Sequence, residues 1–395
     1  MKVPYALSVY GEDEINAVSE VLREHKSIIG SKTAEFESKV AGLFGKKHGI
    51  MVNSGSSANL LAIEMLHPDD NTEVITPALT FSTTVAPLLQ KKARPIFVDV
   101  KPGTYLVDEK QVNDAIGPKT KALMIPSLIG NIPDYPKLSD MASEHNIVLI
   151  EDSCDTIGAR IGREPTGKYT DISTTSFYGS HIITAAGGGG MICVNDPNYE
   201  RRCRLLRGWG RSSAIDESED IKKRFGSKLD GIPYDSKFIF SEVGYNFLPL
   251  EISSAFGLVQ VSKLPGFIEI RKRNFSELRE FFTNYSKFFI LPSQSGNVET
   301  AWLAFPLTIK DGAPFSRMEL STFLENKGIQ TRPIFAGNIL KQPGFKDIAK
   351  PDFRKNFPNA NSIMERGLLI GCNNGLGEKH IKYMKDSFKT FLDKF

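Results

Sequence analysis

A run of small polar residues in the first part of the chain has a position that suits anion binding. Residues 53–59 read NSGSSAN, follow an apolar segment and open a helical one. Small side chains let the backbone approach an anion, and the first N–H groups of a helix donate hydrogen bonds to it. The run therefore suits a phosphate site, but taken alone it is better explained by a serine-rich N-cap turn, since capping needs no more than these residues.

Acidic side chains stand where a parallel sheet would place its ligand crevice. Residues 151–155 read EDSCD and follow a strand predicted over 146–150. Ligands of such sheets bind at the carboxyl ends of the strands, so Asp152 could hold a protonated ring nitrogen, bind a metal or act as a base. A helix cap with acidic residues in its first turn is the alternative for this segment.

His181 is the candidate proton-transfer group. It ends the segment TTSFYGSH, which precedes the glycine run at 187–190. Imidazole changes its charge near working pH, so a histidine on a turn between strands suits general acid–base chemistry. A single histidine is more often structural or exposed, so His181 gains weight only together with the other two segments.

Alternating helices and strands would bring these three segments together. Periodicity predicts helices over 12–23, 33–44, 56–66 and 82–93. Apolar runs predict strands within 48–55, 73–78, 94–100, 121–127, 146–153 and 189–196. This alternation predicts an α/β fold with a mostly parallel sheet that is covered on both faces.

The later part of the chain is predicted to hold an insertion and a second domain. Charged and polar residues dominate from Arg211 to Lys237, which indicates a loop or insertion over about 205–240. A long helix over 254–284 follows, and then mixed strands and helices. We therefore divide the chain into a large domain, residues 1–255, and a smaller α+β domain, residues 256–395.

Composition excludes several classes of protein. A chain of 395 residues with 41% hydrophobic and 24% charged residues is globular rather than disordered or fibrous. Its net charge of +3 and the lack of a basic arm indicate no nucleic-acid partner. The sequence shows no long apolar stretch and no apolar leader, and its four cysteines are scattered. We expect a cytoplasmic protein without a membrane segment or a metal site.

Ordered motifs give the chain a resemblance to a known family. It is similar to the DegT/DnrJ/EryC1/StrS family of sugar aminotransferases over nearly its whole length. The motifs are SGSSANLLAI, ITPALTFSTTVAPL, FVDV, EDSCDTIGA, TTSFYGS, GGGGMI, GYNFLPLEISSAFGLVQ and TRPIFAGN. The resemblance implies the type I fold of pyridoxal-phosphate-dependent transferases, as in aspartate aminotransferase. It implies pyridoxal 5′-phosphate (PLP) or pyridoxamine 5′-phosphate (PMP) as the cofactor.

The resemblance also assigns site residues. It implies that the cofactor ligands are Gly55, Ser56, Ser57, Phe81, Asp152, Asp155, Ser176 and Asn246. Among them, Phe81 would stack on the pyridine ring, and Asp152 would pair with the protonated ring nitrogen. Asn246 would reach the phosphate across the interface of a homodimer with shared active sites. Arg332 and Asn131 are the implied substrate ligands.

The chain departs from the aminotransferases of this family at one position. They carry a lysine where this chain has His181, and residues 179–195 contain no lysine that could replace it. Imidazole cannot link covalently to the cofactor, so we expect noncovalent binding. The segment SFYGSHIIT resembles one subgroup, the 3-dehydratases of 4-keto-6-deoxy nucleotide sugars.

The resemblance implies a dehydratase that works without an iron–sulfur cluster. The cluster type needs cysteines after residues 208–211, where this chain reads SSAIDESEDIKKRF. We expect a GDP-linked substrate, a 3,6-dideoxy-4-keto product for lipopolysaccharide O-antigen, and L-glutamate as the amino donor. His181 would remove the proton from C4′ of PMP and protonate the leaving C3 hydroxyl. The chain differs from the subgroup at Ile182 and in the run AAGGGG, so the substrate stays open.

Two other functions fit parts of the sequence. One is an aminotransferase that makes an amino sugar of lipopolysaccharide, from a nucleotide-linked ketose or an 8-oxo octulosonate that becomes 8-amino-3,8-dideoxy-octulosonate. The other is a non-catalytic regulatory protein. The retained Phe81, Asp152, Ser176 and Asn246 argue against the regulatory function, since a decayed site need not keep its cofactor ligands.

Overall fold

The computed structural model describes residues 1–215, 221–294, 296–348 and 356–395. The helices are α1 Glu12–Arg23, α2 Ser31–Leu43, α3 Gly55–Glu64, α4 Ser82–Gln90, α5 Glu109–Ala115, α6 Tyr135–His145, α7 Pro197–Arg207, α8 Ile221–Phe225, α9 Glu251–Thr283, α10 Arg317–Asn326, α11 Pro358–Arg366 and α12 Glu378–Leu392. The strands are β1 His48–Val52, β2 Glu73–Pro77, β3 Arg94–Val98, β4 Thr120–Pro126, β5 Val148–Asp152, β6 Arg160–Ile161, β7 Glu164–Pro165, β8 Ile172–Ser176, β9 Gly190–Val194, β10 Ser227–Leu229, β11 Ile232–Tyr234, β12 Phe289–Ile290, β13 Val298–Glu299, β14 Phe305–Ile309, β15 Thr331–Pro333 and β16 Gly367–Ile370.

A seven-stranded sheet forms the centre of the larger part of the molecule. Its strand order is β1-β9-β8-β5-β4-β2-β3, and β9 runs antiparallel to both of its neighbours. The other strand pairs are parallel, which confirms the predicted mostly parallel sheet. Apolar side chains of the strands pack against helices such as α3 and α6, and this packing fills the core on both faces.

Strand β8 is the member of this sheet that the sequence analysis missed. Its sequence ISTTS is polar, yet all five of its residues are buried. The hydroxyl groups are used inside the sheet: Thr174 donates to the side-chain oxygen of Asn59 at 2.6 Å, and Thr175 donates to the carbonyl of Ser153 at 3.0 Å. A strand that buries hydroxyl groups with their partners has no apolar run by which periodicity could find it.

A second, antiparallel sheet has the order β12-β14-β16-β15 and packs against α10, α11 and α12. Val3, near the start of the chain, pairs with Ile329 and joins the hydrophobic core of this sheet. The predicted boundary between 255 and 256 falls inside α9. That helix contributes Leu264 to a core near β1 and β9, and it contributes Phe282 to the core of the small sheet. The two-domain division stays a prediction.

The predicted insertion at 205–240 contains structure of its own. It holds the end of α7, the short helix α8 and the hairpin β10–β11, while residues 216–220 lie outside the described residues. Within the described residues, no helix combines the length and the apolar character that a membrane span requires.

Glu37 of α2 links three elements of the large unit through its buried carboxylate. Its Oε1 accepts hydrogen bonds from the backbone N–H of Met51 at 2.8 Å and from Arg207 at 2.7 Å. Its Oε2 accepts from Arg204 at 3.0 Å. Because α7 supplies both arginines and β1 supplies the N–H, the carboxylate fixes α2 and α7 against the edge of the sheet.

We expect Glu37→Ala to lower the free energy of unfolding by about 3–5 kcal/mol, since it leaves Arg207 buried without its partner. Glu35→Ala is the matched control on the same helix, because Glu35 pairs with Lys39 at 2.8 Å on the surface. The control should cost less than about 1 kcal/mol. Urea unfolding of the cofactor-free proteins measures both values, and equal losses would contradict this account of Glu37.

Candidate active site

A cavity of about 620 Å³ lies between the two sheets, at the carboxyl ends of the parallel strands. The large sheet lines it with residues that end or follow β1, β5 and β8: Asn53, Asp152 and Ser176. The small sheet closes the opposite side with Arg332 of β15 and Leu369 of β16. The cavity therefore has the position that open α/β sheets offer to ligands.

The start of α3 forms a cup that suits a phosphate group. Ser54 caps the helix by accepting the N–H of Ser57 at 3.1 Å, and Ser54, Gly55 and Ser56 line the cavity. A Cβ added at Gly55 would lie 2.6 Å from Cβ of Ser176, so only glycine permits this close approach. The N-cap turn and the anion site, which the sequence left as alternatives, are thus compatible in one structure.

Asp152 lies deep in the cavity wall and is the last residue of β5. The strand extends two residues further than the predicted 146–150, so Asp152 ends the strand and does not follow it. Its Oδ2 accepts from Nδ2 of Asn59 at 2.9 Å and from the hydroxyl of Thr84 at 2.8 Å. Its Oδ1 accepts the N–H of Cys154 at 3.2 Å. Three donors thus hold the carboxyl group in one orientation at the cavity wall, where it can pair with a cationic ring nitrogen.

Phe81 stands at the mouth of the cavity, immediately before α4. Its side chain is 51% exposed, and its ring meets the edge of Phe335 with 6.1 Å between centroids. A large apolar face left open beside a polar cleft is available to stack on a flat ligand. These features together fit a phosphorylated pyridine cofactor: the cup at α3 suits the phosphate, the carboxylate of Asp152 suits the ring nitrogen, and the open ring of Phe81 suits the face of the pyridine.

His181 lies on the loop between β8 and β9, and its ring lines the cavity. Its Nδ1 is 3.2 Å from the carbonyl oxygen of Ser176. A carbonyl can only accept, so Nδ1 carries the proton of the neutral ring and Nε2 keeps its lone pair. Burial lowers the pKa of His181 to about 4, against its usual value of 6.5. The imidazole is therefore neutral near pH 7 and can accept a proton.

Two further predicted residues reach the cavity. Asp155 lines it, and its Oδ2 accepts the backbone N–H of Ile129 at 2.8 Å. Burial raises the pKa of Asp155 to about 7. The guanidinium of Arg332 lies over the ring of Tyr5 at 5.6 Å on the small-sheet side, where it can attract an anionic group.

Three predicted site residues do not line the cavity of their own chain. Ser57 donates its hydroxyl to Asn53 at 2.7 Å and faces the interior of the turn. Asn131 is fully buried and uses its amide on the carbonyls of Thr104 and Ser293 and on its neighbour in the chain, so this geometry gives no support to substrate binding. Asn246 is exposed, and its role at a partner's site stays a prediction.

The sequence analysis also missed residues of the site. Asn59 and Thr84 bind Asp152, and a signal for Asn59 was present, since it is a polar residue within the apolar helix segment ANLLAI. Tyr5 lines the cavity from the start of the chain, and its backbone N–H donates to the side chain of Gln330 at 3.1 Å. No local pattern indicates a contact between residues so far apart.

A family model matches residues 9–389 of the chain, and its description is the DegT/DnrJ/EryC1/StrS aminotransferase family. The chain belongs to this family. The resemblance stated from the motifs is thereby confirmed, and so is the type I fold of PLP-dependent transferases. PLP is the cofactor of the family, and the relatives include PLP-dependent sugar 3-dehydratases and sugar aminotransferases.

Individual relatives cover almost the whole chain. The dTDP-4-dehydro-2,6-dideoxy-D-glucose 3-dehydratase of Saccharopolyspora spinosa is 34% identical, over 98% of this chain and 86% of its own. The structure of E. coli GDP-4-keto-6-deoxy-D-mannose-3-dehydratase with bound hydrated PLP has a TM-score of 0.88 and 28% identity, over 98% of this chain and all of its own. A GDP-4-keto-6-deoxymannose-3-dehydratase structure with a trapped PLP-glutamate geminal diamine has a TM-score of 0.87 and 28% identity, with the same coverage.

The lowered pKa of His181 predicts a pH dependence of stability in the cofactor-free protein. Because the folded value of about 4 lies below the usual 6.5, the unfolded chain binds more protons between these pH values. The stabilising contribution is fully present above about pH 6.5 and is lost as the pH falls towards 4. His181→Asn removes this pH-dependent contribution. The difference in the free energy of unfolding between wild type and variant should therefore change by about 1–2 kcal/mol over this pH range. One pKa unit corresponds to ~1.4 kcal/mol, and the value is reduced because the ring is partly exposed. Urea unfolding at pH 4, 5.5 and 7 measures the shift, and a constant difference would speak against a neutral buried imidazole.

Proposed function

We propose that the protein is a PMP-dependent 3-dehydratase of a nucleotide-linked 4-keto-6-deoxy sugar. The observation that carries the proposal is His181, whose free Nε2 belongs to a cavity that no lysine of the described residues lines. A lysine amine would bind the cofactor aldehyde and favour completed amino transfer, whereas imidazole offers an acid and base without a nucleophilic amine. The names of the dTDP- and GDP-sugar dehydratases among the relatives support the same reaction class.

In this proposal some residues around the cavity bind the cofactor, and His181 transfers the proton. PMP, when bound, supplies a primary amine for the C4 ketone of the sugar and a cationic ring that accepts electrons. The cup at Ser54–Ser56 would hold its phosphate, and the carboxylate of Asp152 would keep its ring nitrogen protonated. His181 would take a proton at Nε2 and return it to the C3 hydroxyl, which then leaves as water.

L-Glutamate is the amino donor in this proposal, and the preferred sugar nucleotide is GDP-linked. Arg332 stands at the cavity with a guanidinium that suits the carboxylate of glutamate. The neighbour structure with a PLP-glutamate geminal diamine supports glutamate as the donor. The products would be ammonia, 2-oxoglutarate and a 3,6-dideoxy-4-keto sugar of the kind used in lipopolysaccharide.

The function is tested by product analysis with glutamate and a GDP-linked 4-keto-6-deoxy sugar. We expect equal amounts of ammonia and deoxysugar from the wild type, and at least a ~100-fold slower reaction from His181→Asn, because the amide cannot relay the proton. His67→Asn is the matched control, since His67 is exposed and has a left-handed backbone (φ 46°) that asparagine tolerates.

Two outcomes would contradict the assignment. Full dehydration by His181→Asn would remove His181 from the mechanism. An amino group retained on the sugar by the wild type would identify an aminotransferase instead. His181→Lys should bind the cofactor covalently and form less deoxysugar, which mass measurement of the intact protein can detect.

We further propose that the enzyme is a homodimer whose sites share Asn246. The residue is exposed in its own chain, next to Tyr245, whose ring stacks on Phe247 with 4.5 Å between centroids. The backbone N–H of Asn53, beside the cup, donates to the carbonyl of Phe247 at 3.0 Å, so the segment is fixed to the large unit while Asn246 points outward.

Mixed dimers test this sharing. Asn246→Ala and His181→Asn should each be nearly inactive alone, but a hybrid of the two has one site with both wild-type residues. Random re-association of equal amounts makes half of the dimers hybrid, so about a quarter of wild-type activity should return. A mixture that stays as inactive as its components would place Asn246 and His181 of one chain in the same site.

A further inference from the structure

The turn at residues 128–130 lies behind the cavity and has an unusual backbone. Ile129 has φ 62° and ψ 10°, and Gly130 follows with φ 85°. Glycine adopts this left-handed region readily, whereas a β-branched residue there is strained. Its surroundings must therefore hold Ile129 in this conformation.

The segment 300–303, which leads into β14, holds this turn from the small-sheet side. The N–H of Leu303 donates to the carbonyl of Ile129 at 2.8 Å, and the hydroxyl of Thr300 donates to the carbonyl of Gly130 at 2.6 Å. A Cβ added at Gly130 would lie 2.9 Å from the nitrogen of Leu303. The two segments thus touch at a point where only glycine fits.

Arg271 of α9 fixes the same segment from its other side. Its guanidinium donates to the carbonyls of Trp302 and Leu303 at 3.2 and 3.1 Å, and its Nε donates to Asn374 at 3.0 Å. Arg271 is fully buried, and among the described residues its hydrogen bonds go to two backbone carbonyls and a side-chain amide oxygen, not to a carboxylate. A buried cation without a carboxylate partner is costly, which points to a role beyond packing. We call Arg271 and the segment 300–303 the clamp.

The clamp holds the turn at residues 128–130, and in this turn the backbone N–H of Ile129 points towards Asp155. That N–H donates to Oδ2 of Asp155 at 2.8 Å, and Asp155 lines the cavity. Among the residues that the structure describes, none donates a hydrogen bond to its other oxygen. The hydrogen bond thus fixes one oxygen and leaves the other available to a ligand.

We propose that Ile129 is a positioning residue: the clamp holds its strained backbone so that Asp155 presents one free oxygen to the bound ligand. The identity of that ligand rests on the proposed function, while the positioning itself does not. A carboxyl group can donate a hydrogen bond when it is protonated and accept one when it is ionised, so its orientation and its ionisation both matter to the reaction. The small sheet would in this way control a group on the opposite wall of the cavity.

Thr300→Val tests the clamp, with Thr308→Val as the matched control. Both threonines are buried, and each isosteric change removes one hydroxyl group, but Thr308 meets Tyr105 at 3.1 Å and does not touch the turn. Carboxyl ¹³C titration of the cofactor-free protein, assigned with Asp155→Asn, reports the ionisation of Asp155. Without the hydroxyl of Thr300 we expect the turn to shift, so that the N–H of Ile129 no longer stabilises the ionised form of Asp155. The pKa of Asp155 should then rise by about one unit in Thr300→Val and stay unchanged in Thr308→Val.

Equal titration of Asp155 in the two variants would overturn the proposal. Arg271→Lys is the second variant, because one compact ammonium cannot reproduce the planar array in which Nε serves Asn374 while Nη1 serves the carbonyls of Trp302 and Leu303. It should likewise raise the pKa of Asp155, and it keeps the proposal testable if Thr300→Val fails to fold. With substrates, Thr300→Val should lower kcat several-fold and leave KM for glutamate unchanged, since Arg332 is untouched. If Asp155 responds as expected while the wild type makes no deoxysugar, the proposed function fails and the positioning role stands.

Discussion

The hydrogen-bonded carboxylate of Asp152 is the interaction on which the site depends. A buried charge is tolerated only when donors surround it, and its donors come from α3, from α4 and from the backbone that follows β5. Asn59 lies one helical turn after Gly55 on α3, so the same helix supplies the cup and a donor to Asp152. One rigid element therefore sets the distance between the cup and the carboxylate of Asp152.

Ser176, the last residue of β8, contacts both the cup at the start of α3 and the ring of His181. Cβ of Ser176 packs against Gly55, and its carbonyl oxygen orients the ring of His181. One residue thus positions the imidazole of His181 relative to the cup. The proposed reaction depends on two features of this wall: the histidine is neutral near pH 7, and no lysine of the described residues lines the cavity.

Local patterns predicted six of the seven strands of the large sheet and several of the helices, but not the contacts within the site. Helix α1 has the predicted bounds, since its apolar spacing and acidic first turn are local signals, and the parallel sheet follows from the alternation of elements. Strand β8 was not predicted, because most of its buried residues carry hydroxyl groups and form no apolar run. Thr84 is tied to Asp152 only by tertiary structure, and the role of His181 could be stated only from the resemblance, since one histidine alone has many ordinary explanations.

The cavity wall contains residues from both ends of the chain, and this has a consequence for synthesis on the ribosome. Tyr5 is held by the side chain of Gln330, a contact between positions 325 residues apart. At elongation rates of 5–20 residues per second, Tyr5 must wait roughly 15–65 seconds before Gln330 is made. The large sheet can fold earlier on the nascent chain, but the wall that Tyr5 and Arg332 share is completed late. The complete cavity wall is consequently present only in the nearly finished polypeptide.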